Sequence, residues 1–99
     1  MQSLILVNQK YDIYLMKNET LINFGMRICQ IRKMNNLSQE QLAERTGFHR
    51  TYIGMIERGE RNPALKNIKI FADKLDISLS ELFDYDVINK EVKSGKIKK

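Results

Sequence analysis

The side chains best suited to bind a ligand lie between residues 49 and 62. Arg50 carries a planar fork of N–H donors that matches the O6 and N7 acceptors of guanine, and Thr51 and Met55 offer methyl groups that can meet the methyl of thymine. Because the major groove of DNA admits an α-helix, these three side chains on one helix predict contact with base edges.

A second group of polar and basic residues is suited to phosphate oxygens, which need donors rather than base-specific groups. Gln39 begins a predicted helix, and helix N-termini supply backbone N–H groups and a favourable dipole. Arg58, Arg61 and Asn62 cluster at the far end of the base-contacting helix. His49 lies at its entrance, where it either touches a base or phosphate or is an exposed turn residue without a partner. An ordinary charged surface is the alternative for every residue of this group.

Two short helices joined by a turn must position these side chains. Ser38 and Gln41 form an S-x-x-Q capping box, so the first of these helices should begin at the residue after Ser38. Gly47 can adopt the left-handed conformation that a helix end commonly needs, which predicts a turn at 47–49 and a second helix over about 50–58. Such a pair is typical of a helix-turn-helix, and the alternative is a corner between two helices that bind nothing.

The helical period assigns the two faces of the second helix. Ile53 and Ile56 are expected to face inward, at about 100° per residue. The residues that then point outward, beside Arg50, are Thr51, Gly54, Met55 and Arg58.

Three further helices are predicted around this pair, which gives an all-α, compact five-helix domain. Phe24, Ile28 and Ile31 repeat at helical spacing and predict a first helix over about 21–34 with those side chains toward the core. Proline is favoured at the first helical position, so a fourth helix is expected to begin at Asn62-Pro63. Its apolar stripe would consist of Leu65, Ile68, Phe71, Ala72 and Leu75.

A short final helix is predicted by a second capping box at Ser78 and Glu81. This segment carries more apolar residues than one small helix usually buries, namely Ile77, Leu79, Leu82 and Phe83. They form either a self-association surface or the last wall of the core.

The charge of the chain indicates an anionic partner. Its 99 residues carry a formal net charge of +5, and residues 25–75 hold ten Lys or Arg against five Asp or Glu. Catalysis is not expected, because His49 is the only histidine and no glycine-rich phosphate loop is present. Glu40 and Glu44 are expected to form a solvated helix face.

Cys29 is the only cysteine, so no intrachain disulfide or thiolate metal site is available, and a cytoplasmic location is expected. The apolar run at residues 4–7 is too short for a signal sequence or a membrane span. Neither a cofactor nor a metal is expected.

The chain divides into an amino-terminal extension over 1–20, the helical domain over 21–84 and a Lys-rich tail over 85–99. The β-prone runs at 3–7 and 11–15 are expected to form a hairpin or a flexible arm. Met16 would be an alternative start, and a complete domain would be expected to follow it.

The motifs FGxRIxxIR, LSQEQLAERTG, YIGMIERGERNP and LDISLSELF, over about residues 24–83, resemble the Xre family of phage repressor and Cro-like helix-turn-helix regulators. Within that family HRTYIGMIERGERN is similar to the controller proteins of restriction-modification systems. The resemblance implies a five-helix lambda-repressor-like domain that binds a two-fold operator as a homodimer through its final helix.

The resemblance also implies roles for particular residues. Arg32 would pair with Glu57 beneath the base-contacting helix, and Gln39 and Asn62 would lie near phosphates. Those at the DNA face would be Arg50, Thr51, Tyr52 and Met55, although Tyr52 is not an outward residue by the helical period.

The function predicted is that of a sequence-specific, DNA-binding transcriptional regulator whose partner is double-stranded DNA. The alternative is an antitoxin-type module that binds a protein through the amino-terminal extension or the tail and also binds DNA. RNA binding is disfavoured, because the outward face lacks the aromatic side chains that stack on splayed bases.

Overall fold

The computed structural model describes residues 18–86, and the chain forms five helices and no strand over that range. They are α1 (Glu19–Met34), α2 (Gln39–Thr46), α3 (Arg50–Glu57), α4 (Leu65–Lys74) and α5 (Leu79–Leu82). The predicted five-helix fold is confirmed, and none of these helices is long and apolar enough to cross a membrane. The predicted hairpin or arm and most of the Lys-rich tail lie outside the described residues.

Helix α1 begins two residues earlier than the apolar period indicated, because Asn18 caps it. The Oδ1 atom of Asn18 accepts hydrogen bonds from the backbone N–H of Thr20 at 2.9 Å and of Leu21 at 3.3 Å. The helix ends where it was expected, and Asn36 then takes a positive φ of 57°, which asparagine tolerates better than most residues. The three residues predicted to face the core are all buried: Phe24, Ile28 and Ile31.

Local sequence signals set the ends of α2 and α5 as predicted. Ser38 Oγ accepts from the backbone N–H of Gln41 at 3.1 Å, while Gln41 Oε1 accepts from that of Ser38 at 2.8 Å. Gly47 has φ +79° and ends α2. The same reciprocal box precedes α5, where Ser78 caps Glu81.

The predicted start of α4 is wrong by two residues. Pro63 is buried in the loop, Ala64 remains extended, and the helix begins at Leu65. Leu65 is 71% exposed, so it does not belong to the apolar stripe. Because the helix starts late, its first residue projects beyond the core. The residues that do face the core from α4 are Ile68, Phe71, Ala72 and Leu75.

The core contains side chains from all five helices. Ile28, Leu42, Ile53, Phe71 and Leu82, one from each helix, are all 0% exposed. Aromatic rings pack around these side chains. The ring of Phe71 contacts those of Phe24 and Phe48, with centroids 6.3 and 5.2 Å apart. The inner face of α3 therefore packs against the hydrophobic core.

The backbones of helix α1 and of the end of α3 are in direct contact. A Cβ atom on Gly25 would lie 2.3 Å from the carbonyl oxygen of Ile56 and 2.7 Å from that of Glu57. Just beyond α3, Gly59 has φ +73°, and a Cβ there would lie 3.0 Å from the backbone of Ile22. Glycine at both positions therefore permits the contact that fixes where α3 ends.

Candidate nucleic-acid interface

Helix α3 separates an anchored face from an open one. Ile53 and Ile56 are 0% and 1% exposed, as their predicted inward orientation requires. Arg50 and Thr51 are exposed, and Met55 is half-buried on the open side.

Gly54 was predicted to point outward, and that prediction is wrong. The residue is buried, and a Cβ on it would lie 3.1 Å from Arg58 Nη1 and 3.9 Å from Gln39 Nε2. It therefore lies beneath these two side chains, and the missing Cβ leaves them room. Arg58 itself is exposed, as predicted.

His49 caps α3, a role that neither sequence alternative anticipated. Its Nδ1 atom accepts a hydrogen bond from the backbone N–H of Thr51 at 3.1 Å, while its side chain remains exposed. An N-cap acceptor satisfies one of the backbone donors that a helix start leaves free. The cap thus fixes the direction in which the first turn of α3 leaves the loop.

An ion pair connects the starts of α2 and α3. Arg50 Nε donates to Glu40 Oε1 at 2.9 Å, and both side chains are more than half exposed. The pKa of the Glu40 carboxyl is lowered by the hydrogen bond from its own backbone N–H and, to a smaller extent, by Arg50. Sequence reasoning missed this pair and placed Glu40 on a solvated face.

A second exposed pair holds the arginine at the other end of α3. Arg58 Nε lies 2.7 Å from Glu60 Oε2, and its Nη2 lies 3.3 Å from Glu60 Oε1. These hydrogen bonds raise the pKa of Arg58. Two of the three guanidinium nitrogens therefore contact one carboxylate two residues away.

The pair of Arg32 and Glu57 is present and nearly buried beneath α3. Arg32 Nε and Nη2 donate to Glu57 Oε2 and Oε1 at 2.6 and 3.0 Å, with the side chains 10% and 6% exposed. The remaining nitrogen, Nη1, donates to the carbonyl oxygen of Leu37 at 2.8 Å. The hydrogen bond to Glu57 raises the pKa of Arg32. This network joins α1, the entrance of α2 and the end of α3.

Gln39 and Cys29 lie at the edge of this network. The side-chain amide of Gln39 donates to Glu57 Oε1 at 3.1 Å, and Arg32 Nη2 lies 3.5 Å from Cys29 Sγ. Burial, followed by the charge of Glu57, raises the pKa of the Cys29 thiol. Gln39 is also the first residue of α2, so it lies where the backbone donors of that helix begin.

Tyr52 joins α3 to α4. Its hydroxyl accepts from Asn67 Nδ2 at 3.2 Å, and its ring packs edge-on against Phe48 with centroids 5.1 Å apart. The guanidinium carbon of Arg61 lies 5.7 Å from the centre of the Tyr52 ring, a cation–π contact. Tyr52 is half-buried, whereas Arg61 and Asn62 are exposed.

The apolar residues near α5 divide between core and surface. Leu82 is 0% exposed and belongs to the core, while Ile77 and Leu79 are half-buried. Phe83 is 43% exposed, with its ring 5.9 Å from that of Phe24. An apolar edge therefore remains at the surface of α5.

A buried arginine ties α5 to α1. Arg27 is 7% exposed and donates from Nε and Nη2 to the carbonyl oxygen of Glu81 at 3.2 and 2.6 Å. Its Nη1 donates to Gln30. Within residues 18–86, no group of three or more His, Cys, Asp or Glu side chains is arranged to hold a metal ion.

Known proteins resemble the chain over the two helices of this interface and the turn between them. The family model described as helix-turn-helix, HTH_3, matches residues 30–82. Control protein C.SmaI of Serratia marcescens is 50% identical over 60 residues, which cover 61% of this chain and 71% of that protein.

Two solved structures share the fold. The restriction-modification controller protein C.AhdI from Aeromonas hydrophila has a TM-score of 0.65 and 45% identity, and the match covers 67% of this chain and 100% of that one. The tetramer of the controller protein C.Esp1396I in complex with its natural 35-base-pair operator has a TM-score of 0.65 and 30% identity, covering 78% and 99%.

The resemblance to the controller proteins of restriction-modification systems is thereby confirmed. Since the family model matches more than half of the chain and the two capped helices and their turn lie within the match, the chain belongs to the HTH_3 helix-turn-helix family.

Proposed function

We propose that this protein is a sequence-specific, DNA-binding transcriptional regulator that acts in the cytoplasm as the control protein of a restriction-modification system. The observation that carries the proposal is the division of α3, whose inner face is anchored in the core while Arg50, Thr51 and Met55 remain on the open side. A helix held in this way can enter the major groove as a rigid body.

The side chains on the open face have different tasks. Arg50 is suited to bind guanine O6 and N7, and the methyl groups of Thr51 and Met55 are suited to thymine. Around them, Arg61 and Asn62 are exposed just beyond the end of α3, and Gln39 begins α2, so these residues offer donors to phosphate oxygens beside the open face.

Tyr52, Arg58 and His49 take supporting parts in this interface. Tyr52 sets the position of Arg61 through the cation–π contact, so its effect on DNA is mainly indirect. Arg58 would reach a phosphate either by exchanging Glu60 for it or through Nη1, the nitrogen outside that pair. His49 orients the first turn of α3 through its cap, and its exposed side chain would be available to the DNA backbone.

A homodimer would match a two-fold operator, since each subunit presents one α3. The surface we assign to the dimer contact is the apolar edge formed by Ile77, Leu79 and Phe83, with Leu82 supporting it from the core. C.Esp1396I, which has a similar fold, binds its operator as a tetramer. By analogy, two dimers of this protein would bind one operator side by side.

Selection of bound sites from a random duplex pool tests the proposal directly. The expected product is a short consensus with two-fold symmetry, and light scattering of the free protein should give the mass of a dimer. Recovery of no consensus would contradict sequence-specific binding. Co-purification of a stoichiometric protein partner, together with weak binding to every duplex, would favour the antitoxin-type alternative.

A further inference from the structure

We propose that Glu40 is a positioning residue that determines how selectively Arg50 contacts DNA, an inference that rests on the proposed function. The two side chains are ten residues apart in sequence and belong to different helices, and they meet through Arg50 Nε and Glu40 Oε1 at 2.9 Å. The pair lies at the surface, on the side of α3 that is open.

The atoms that take part in this pair leave the guanidinium available. Only Nε contacts the carboxylate, and within residues 18–86 neither terminal nitrogen of Arg50 makes a hydrogen bond. Two parallel N–H donors are what a bidentate contact with guanine requires. Glu40 can therefore hold the side chain while Nη1 and Nη2 face the base.

Arg58 shows the opposite arrangement at the far end of the same helix. It directs Nε and Nη2 to Glu60, so only Nη1 lies outside that pair. A carboxylate next to an arginine can thus either occupy its fork or leave it open, and Glu40 leaves it open.

Glu40 and Arg50 both lie in capped first helical turns, where the backbone is held in place. Ser38 and Gln41 cap the first turn of α2, where Glu40 is the second residue, and the His49 cap fixes the first turn of α3, where Arg50 is the first. With the two main chains held, the ion pair removes side-chain freedom that Arg50 would otherwise lose on binding, which is preorganisation in the ordinary sense.

The same carboxylate acts against contacts that carry no sequence information. An unrestrained Arg50 could swing onto any nearby phosphate, which would raise affinity for every duplex alike. Glu40 restrains that movement and adds a negative charge where a phosphate would have to approach. The expected consequence is weaker binding to random DNA and a larger preference for the base pair that Arg50 contacts.

The test uses the full chain and a site recovered by selection with the wild-type protein. Affinities for that site and for a random duplex are measured for wild type, Glu40→Gln, Glu40→Ala and Glu44→Gln. Glu44 is the matched control, because it is exposed one turn further along α2, has the same charge, and forms no ion pair within residues 18–86. Thermal melts verify that every variant is folded.

Both Glu40 variants should lower the ratio of specific to random affinity by about three- to tenfold, a part of the discrimination that one bidentate contact supplies. Glu44→Gln should strengthen binding to both duplexes by one common factor and leave the ratio unchanged. A second selection with Glu40→Gln should lose preference at one base position only, the same position that Arg50→Ala loses. In an Arg50→Ala background, Glu40→Gln should no longer change the ratio.

An unchanged ratio for both Glu40 variants would overturn the inference, as would an effect that persists without Arg50. If Glu40→Gln and Glu44→Gln changed the ratio of specific to random affinity equally, the effect would come from the loss of a negative charge in general. That result would also overturn the inference. Failure of the wild-type protein to select any site would instead contradict the proposed function, so the two failures are distinguishable.

Discussion

Gln39 donates its side-chain amide to the same oxygen of Glu57, Oε1, that accepts Nη2 of Arg32. One carboxylate at the end of α3 thus accepts from both α1 and α2. The orientation of α3 therefore depends on a polar network as well as on the apolar residues beneath it, and substitutions can separate the two contributions.

Removal of Arg32 should destabilise the fold, because Glu57 would remain almost buried without its cation. Arg32→Ala is expected to lower the free energy of unfolding by about 3 kcal/mol, within the range for one partner of a buried ion pair. Urea unfolding measures the change. Lys33→Ala, at the exposed neighbouring position, is the control and should change stability little. A double variant with methionine at 32 and 57 should recover most of the loss, and no recovery would contradict this account.

Gly25→Ala should destabilise the protein by about 1 to 3 kcal/mol, because the added methyl group meets backbone oxygens that cannot move independently. The matched control is Gly54→Ala. There the nearest atom is the end of the Arg58 side chain, which can shift, and alanine favours a helix. Urea unfolding of both variants decides the point, and equal losses would show that the close approach of α1 to α3 is not critical.

Arg50→Ala and Arg61→Ala should weaken DNA binding in different ways. The first is expected to cost on the order of 1 to 3 kcal/mol on the selected site and to relax one base position. The second should weaken binding to every duplex alike and lower the slope of log affinity against log salt by about 1. Titrations at several salt concentrations measure both. Equal losses on selected and random DNA for Arg50→Ala would refute its role in specificity.

The Cys29 thiol should react slowly, because burial and the charge of Glu57 raise its pKa and keep it protonated at neutral pH. Alkylation of the folded protein should therefore be slower than that of the same chain in urea. The alkylation rate of the folded protein should also begin to increase at a higher pH. The raised pKa also makes the free energy of unfolding depend on pH. The contribution of Cys29 is constant at pH values below the ordinary pKa of a thiol. It falls as the pH rises through that pKa, because the thiol of the unfolded chain ionises before that of the folded protein. Equal alkylation rates for folded and unfolded protein would contradict this.

Phe83→Glu should weaken the proposed dimer, because it places a charge on the apolar edge near α5. Met34→Glu is the control, since Met34 is a large apolar residue, 66% exposed, at the end of α1. Sedimentation at several protein concentrations should show dissociation of the first variant only. A dimer that withstands Phe83→Glu would place the subunit contact elsewhere.

Several features of the fold that depend on neighbouring residues could be predicted from the sequence, although the caps at Asn18 and His49 were not. The capping boxes at Ser38 and Ser78 and the left-handed Gly47 involve residues within about one helical turn, so their types are sufficient to recognise them. Pro63 misled the same kind of reasoning. Its fixed φ suits an extended loop as well as a first helical turn, and the tertiary contacts that bury it determine which of the two occurs.

Contacts across helices could not be predicted in this way. The pair of Glu40 and Arg50 depends on the angle at which α2 and α3 cross, and the contact between Tyr52 and Asn67 joins α3 to α4. Both pairs matter to the proposed interface, since Glu40 contacts Arg50 and the ring of Tyr52 also contacts Arg61.

The backbone contact at Gly25 has an expected consequence for DNA binding. With no side chain at Gly25 to separate the two backbones, and with Gly59 packed against Ile22, we expect α3 to tilt little relative to α1. Part of the adjustment to a poorly fitting site is then expected from the duplex, by bending or by a change of groove width, and its cost varies with the flexibility of base steps. We therefore expect base pairs that the protein does not touch to affect affinity through the stiffness of the DNA.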